Sequence, residues 1–114
     1  MQPTIKHDPR GDMCFVEGNS YHCNVIETKK GMRRGGHSHP CDQYTVIIQG
    51  KMRIMFRRND ADDIMIKEPG EVILIPADIP HLFEALEDSV FIEWMFAPYE
   101  AKEYPPYRKM VENE

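Results

Sequence analysis

Apolar residues recur at every second position of this chain, in short runs cut off by turn-forming residues, and that pattern restricts it to a fold built from β-strands. Met52, Ile54 and Phe56 alternate with Lys51, Arg53 and Arg57, and only Met55 interrupts the polar face. Successive side chains of a strand point to opposite faces, so the alternation marks one buried face and one wet one. Tyr21–Thr28, Gln43–Gln49 and the segments 63–67, 71–75, 81–86 and 89–96 read the same way, mostly rich in Ile, Val, Tyr or Phe. Gly35-Gly36, Gln49-Gly50, Asn59-Asp60 and Pro69-Gly70 lie between such segments and suit tight turns. Many short strands at regular spacing predict a sandwich or barrel.

The 114 residues suffice for one compact domain and leave no room for a second. We divide them into an N-terminal arm over 1–19, a barrel over 20–98 and a short C-terminal tail over 99–114. The tail is charged, and Pro105-Pro106 is expected to interrupt any helix there. The arm is a candidate to cross to a neighbouring subunit and cover a sheet edge.

A formal charge of −5 argues against a nucleic-acid partner, because polyphosphate repels an acidic surface. No apolar run is long enough to span a membrane, and the polar first dozen residues do not resemble a secretion signal, so a cytoplasmic address is expected. Cys14, Cys23 and Cys41 have neither disulfide-framework nor zinc-finger spacing and read as reduced thiols.

His37 and His39 stand two apart. In an extended strand both rings share a face, with Cα atoms roughly 6.6 Å apart. They can then converge on one ion at about 2.1 Å from each nitrogen. Gln43 has the same parity and offers a carboxamide oxygen as a third ligand, whereas Asp42 should point away. Cys41 shares the parity as well, although Pro40 bends the chain beside it. His81 follows the stiff run Ile75-Pro76-Ala77-Asp78-Ile79-Pro80, and only the fold can bring it in as a fourth ligand. For an isolated His-x-His pair, a solvated loop after Gly35-Gly36 is the plainer reading. The spacing around the pair tips the balance.

That spacing resembles the cupin superfamily. Its first motif runs glycine, five residues, His-x-His, three or four residues, an acid, six residues, glycine; here stand Gly31, His37-Ser38-His39, Gln43 and Gly50. Its second motif is matched in spacing by Gly70, Pro76, Asp78, His81 and Ala85, with Asp78 in place of a glycine and Ala85 in place of an asparagine. The resemblance implies an all-β jelly-roll barrel, usually paired as a homodimer, with one divalent metal ion in the barrel mouth on His37, His39, Gln43 and His81. Gln43 replaces the frequent glutamate, which leaves all four ligands neutral. This favours Lewis-acid polarisation of a substrate oxygen over the oxygen activation of a dioxygenase. Nickel, zinc, manganese, iron and copper all suit such donors.

The expected ligand is a small oxygen-rich molecule: a sugar, a uronate or an oxo-acid. Ala85-Leu86-Glu87-Asp88-Ser89-Val90 and Phe96-Ala97-Pro98 look like segments of cupins that open or isomerise uronates. Trp94 and Tyr99-Glu100, however, stand where that group carries its proton-transferring aspartate and arginine. Arg34-Gly35-Gly36-His37-Ser38-His39 also resembles metal-independent nucleotide-sugar ketoisomerases, in which Arg33, Arg34, Arg53 and Arg57 would grip a diphosphate. A ligand-binding module without turnover is the third reading. Candidate proton carriers are Tyr21, His22, Tyr44, Asp78 and Glu93. Trp94 would stack on a sugar if its face lined the cavity.

Overall fold

The computed structural model of the chain describes residues 2–112. Met1 of the expected arm and residues 113–114 of the expected tail lie outside them. The strands are β1 (Thr4–Lys6), β2 (Met13–Gly18), β3 (Tyr21–Thr28), β4 (Arg33–Ser38), β5 (Gln43–Gln49), β6 (Met52–Arg58), β7 (Ala61–Lys67), β8 (Val72–Ile75), β9 (His81–Ala85), β10 (Ser89–Met95) and β11 (Lys102–Glu103). Among the described residues one helix, α1, spans Pro105–Glu112. The strands form two antiparallel sheets, ordered β1-β2-β3-β10-β5-β8 and β11-β4-β9-β6-β7. No helix among the described residues is long and apolar enough to cross a membrane.

The sheets face each other across a core of Ile26, Ile47, Met52, Ile54, Phe56, Phe83 and Phe91. Each is the inward member of an alternating strand, and burying one such side chain contributes about 1.5–3 kcal/mol. Phe83 and Phe91 stack across the two sheets at 5.2 Å. The β6–β7 hairpin turns through Asn59 and Asp60, both at positive φ (53° and 60°), the conformation a two-residue turn of matching twist needs.

Two local expectations are corrected. Gly35-Gly36 is not a turn: both glycines lie inside β4, where the register against β9 shifts between Gly35 and His37. They hold φ of 97° and 80°, which only glycine adopts cheaply, and so form a bulge. The bulge has a consequence for the site. Arg34 faces inward opposite Phe83, and simple alternation would send His37 outward; the extra residue brings it opposite His81 instead.

Pro105-Pro106 does not interrupt a helix but begins one. The first helical N–H groups have no intrahelical acceptor, so two residues without them, or short of them, cost little there. The Tyr104 carbonyl accepts from Tyr107 N–H and Arg108 N–H at 3.1 and 2.9 Å. The helix packs on this chain's own five-stranded sheet, where Tyr107 and Val111 bury against Leu82. In the segment expected as an arm, β1 and β2 run along β3 of the same chain.

Candidate metal centre

His37, in β4, and His81, at the start of β9, pair directly across the sheet. His39 follows β4, and its carbonyl accepts from the Asp78 N–H at 2.8 Å. That bond ties the first motif to the stiff turn of the second. Asp78 holds φ of 64°, the left-handed conformation for which the motif ordinarily uses glycine and which aspartate tolerates better than most residues. One potential ligand atom from each of His37, His39 and His81 lies within 4.8 Å of the others.

The hydrogen bonds around these rings fix which atoms remain free. The Nδ1 of His39 is 2.8 Å from the Glu100 carbonyl, and the Nδ1 of His81 is 3.0 Å from the Ile79 carbonyl. A carbonyl only accepts, so each Nδ1 carries the proton and each Nε2 keeps its lone pair. Both Nε2 atoms are buried without a partner. Gln43, wholly buried, donates its Nε2 to Thr45 Oγ1 and to Glu93 Oε2, each at 2.9 Å. Its Oε1 is likewise buried and unpartnered, and the carboxamide lies beside His39. Unsatisfied buried acceptors are uncommon because each costs desolvation energy. Three around one cluster is the arrangement a cation would satisfy.

Burial also keeps the rings neutral. It is the main cause that lowers His37 to about 3, with His81, His39 and Arg108 adding to it, and that lowers His81 to about 4 against its bond to Ile79. His39 moves down for the same reason, opposed by Glu100 and Gln43. Neutral imidazole is the metal-binding form. By contrast, burial pushes the Cys41 thiol up, and Asp42 and Glu100 push it further, which disfavours a thiolate ligand. Asp42 turns away from the cluster and accepts from the Ala77 N–H at 2.9 Å.

The cluster adjoins a cavity of about 470 Å³ lined by residues that include His37, His22, Asn24, Glu93, Tyr99, Arg34 and Arg108. Glu93 lies on the inward face of β10, in register with Asn24 and Thr45. Burial raises its carboxyl to about 7, against the bonds from Asn24 and Gln43 and the charge of Arg34. His22 also faces this cavity, its Nδ1 held 3.2 Å from Glu17 Oε2 and its Nε2 buried without a partner. From sequence Tyr99 stands only as a departure at the place of an expected arginine, not as a site residue, yet its ring lies 5.4 Å from His39, 6.4 Å from His37 and 5.1 Å from His22. Its place after Phe96-Ala97-Pro98 was the only available signal. Burial, then Glu93, raises its hydroxyl.

Other candidates stand elsewhere. Trp94 points out of the barrel and stacks on Tyr44 at 5.7 Å, because Phe91, Glu93 and Met95 form the inward face of β10. It cannot stack on a ligand in the cavity. Tyr44, its stacking partner, faces outward as well. Arg33 and Arg53 pair with Glu84, and Arg57 with Asp62, on the outer side of the five-stranded sheet. Tyr21 borders the β2–β3 turn, its ring occupying the space a side chain on Gly18 would need.

No protein-family model and no curated protein sequence matches the chain. Solved structures do. CapF with the inhibitor 3-isopropenyl-tropolone is 26% identical over 86% of this chain and 31% of that one, with a TM-score of 0.72. The capsular polysaccharide assembling protein CapF from Staphylococcus aureus is 22% identical over 90% of this chain and 32% of its own, with a TM-score of 0.74. A deletion mutant of Bacillus subtilis oxalate decarboxylase reaches a TM-score of 0.80 at 17% identity, over 89% of this chain and 30% of that one. The chain thus spans about a third of the length of each of these three chains. With two spaced histidine motifs on a two-sheet jelly-roll barrel that these proteins share, the chain belongs to the cupin superfamily.

Proposed function

We propose that His37, His39, Gln43 and His81 hold one divalent transition-metal ion and that the adjoining cavity receives a small anionic, oxygen-rich ligand. One observation carries the metal: Nε2 of His39, Nε2 of His81 and Oε1 of Gln43 are buried acceptors without partners, while the other polar atoms of the same side chains are engaged. Oxalate decarboxylase has Mn(II) centres, which puts manganese among the metals to try first. When bound, the ion would act as a Lewis acid on a ligand oxygen, since four neutral donors leave its charge undiminished.

The chain's own residues favour an acid over a neutral sugar. Lys6, Arg10, Arg34 and Arg108 line the cavity with Glu17 and Glu93, and Arg10 is paired with Asp8 and Arg108 with Glu103 and Glu112. Basic side chains at the wall can still meet a ligand carboxylate, and a uronate or an oxo-acid is the class this reading favours. Tyr99 covers the three-histidine cluster from one side and limits water there. Glu93, with its raised pKa, is placed to hold or release a proton at Oε1 or Oε2 near neutral pH. The diphosphate grip of a nucleotide-sugar ketoisomerase loses support, because Arg33, Arg53 and Arg57 are engaged on the outer surface.

Elemental analysis of the purified protein tests the reading. One equivalent of a transition metal is expected, lost in His81→Ala and restored to the stripped wild type by titration. Calorimetry should then give uronate or oxo-acid binding that depends on the metal. A wild-type protein that neither carries nor takes up any of the five metals would end the proposal.

A further inference from the structure

Beyond the metal centre, two more buried acceptors have no partner among the described residues: Nε2 of His22 and Oδ1 of Asn24. Both side chains are more than nine-tenths buried, at 4% and 7% exposure, and both line the cavity. They stand two apart on β3 and so share its inward face. Their other polar atoms are committed. His22 Nδ1 lies 3.2 Å from Glu17 Oε2, and a carboxylate only accepts, so in the neutral ring Nδ1 carries the proton and Nε2 the lone pair. The ring is held in that pose between Phe15 and Tyr99, with centroids at 5.7 and 5.1 Å. Asn24 gives its amide nitrogen to Glu93 and, at 3.8 Å, to Met13 Sδ, which leaves the oxygen as the free end.

Neither free acceptor serves the fold. Each costs desolvation energy, and native structures keep few of them. An apolar side chain would fill either place without that cost, as Ile26 does at the next inward position of β3. Their place relates them to the metal centre instead. Asn24 pairs across the sheet with Glu93, whose Oε2 accepts from Gln43. Tyr99 packs on His39 at 5.4 Å as well as on His22, so one aromatic ring separates the three-histidine cluster from His22. Tyr99 is 45% exposed and is the side chain that an entering ligand would displace.

We infer that the ligand is a polyhydroxylated acid, which turns its carboxylate toward the metal centre and donates two hydroxyls, one to His22 Nε2 and one to Asn24 Oδ1. The inference rests on the function proposed above and narrows its ligand class. Both free atoms are acceptors, so only a group with a hydrogen to donate satisfies them. The hydroxyls of a sugar acid do so. A hydroxyl-free oxo-acid or a dicarboxylate such as oxalate is ionised at neutral pH, offers acceptors only, and would set its own lone pairs against these two. A site built to bond hydroxyls rejects an analogue without them, because its buried groups are then left unpaired. A cavity of about 470 Å³ has room for a six-membered sugar ring.

Calorimetry of the metal-loaded protein at pH 8 tests it, with elemental analysis of each sample. The probes are D-galacturonate, D-glucuronate, D-mannuronate and D-gluconate, set against tetrahydropyran-2-carboxylate and oxalate, which carry the acid without hydroxyls. One or more of the hydroxylated acids should bind about 10- to 100-fold tighter than either comparison, the effect of two neutral hydrogen bonds. His22→Phe and Asn24→Leu should each weaken that acid about 3- to 10-fold, the effect of one such bond, and leave the metal content unchanged. His22→Phe should also bind the hydroxyl-free acids as wild type does and melt no lower, since it removes an unpaired buried acceptor. If the variants fail to fold, the wild-type comparison decides. Hydroxyl-free acids bound as tightly as every hydroxylated one, no hydroxylated acid bound at all, or variants that keep the full preference would overturn the inference, and a full metal content in the same samples would leave the centre standing. A wild type that takes up no metal sinks the reading beneath it, and this inference with it.

Discussion

The carboxamide nitrogen of Gln43 lies 2.9 Å from Oε2 of Glu93, and this contact, with the equal bond to Thr45, decides which end of the amide is turned toward the histidines. The nitrogen is committed to two acceptors, so the oxygen is the free end. Removing the Glu93 acceptor lets the amide rotate. In Glu93→Leu, metal affinity should fall about 10- to 100-fold, the range typical of lost outer-shell partners. Glu93→Gln, which keeps an acceptor oxygen, should lose less. Calorimetric titration of the stripped proteins with nickel or zinc would measure both, and equal affinity in Glu93→Leu and wild type would remove Glu93 from this role.

The same contact predicts a coupled pair. Gln43→Glu places a second carboxyl against Glu93, and two carboxylates at hydrogen-bond distance cannot both ionise. We expect the single variant to lose about 1–3 kcal/mol of stability at pH 8, following the cost of an unpaired buried group. Adding Glu93→Gln should restore most of it. Urea unfolding of the four proteins in a double-mutant cycle would show the coupling.

The stripped protein should weaken in acid. His37 and His81 bind protons only near pH 3 and 4 when folded but near 6.5 when unfolded. The unfolded state therefore takes up more protons as pH falls from about 6.5 toward 4, and stability drops across that window. Glu93 acts in the opposite sense. Its folded value of about 7 lies above the ordinary 4.5, so its contribution is complete below pH 4.5 and lost as pH rises through 7. The windows overlap between about pH 4.5 and 6.5, where two histidines outweigh one carboxyl, so melting temperatures of the metal-free protein should peak near pH 6.5. Glu93→Gln should flatten the alkaline side and leave the acid side steep; an unchanged profile would count against the assignment.

Gly36 is constrained from two directions. A Cβ there would sit 2.7 Å from the Arg108 Cα and 2.8 Å from its N, at a backbone φ of 80°. Gly36→Ala should push α1 off the sheet and disturb the bulge that turns His37 inward. We expect a loss of about 2–4 kcal/mol, from strain together with lost helix packing. It should also reduce metal uptake. Gly31→Ala, where the added carbon meets nothing within 4 Å, is the comparison for backbone strain alone.

Asp78 should tolerate glycine and reject valine. Its left-handed φ of 64° costs a β-branched residue of order 1–3 kcal/mol more. Thermal melts of Asp78→Gly and Asp78→Val should separate by several degrees, with the valine variant also loosening the bond from Asp78 N–H to the His39 carbonyl.

What could be read in advance followed from local periodicity. Tyr21–Thr28 and Gln43–Gln49 matched β3 and β5 to the residue, because alternating burial over seven or eight positions leaves a strong signal. Short edge strands such as β1 and β11 carry too few residues to alternate, and Gly35-Gly36 reads as a turn although it is part of β4. The spacing of His37, His39, Gln43 and His81 was visible, but the partners that orient them were not. Glu100, Ile79, Thr45 and Glu93 reach those side chains through backbone carbonyls or cross-strand neighbours that no linear motif encodes.

Residue order alone therefore determined that the chain makes many short strands, where most of them turn, and which donors stand at motif spacing, since each depends on neighbours a few positions away. Only the tertiary structure decided which face of β10 looks inward, that a two-glycine bulge brings His37 opposite His81, and that Tyr99 returns over the cluster. Those outcomes depend on register and on packing between segments far apart in the chain, where a shift of one residue reverses every side chain.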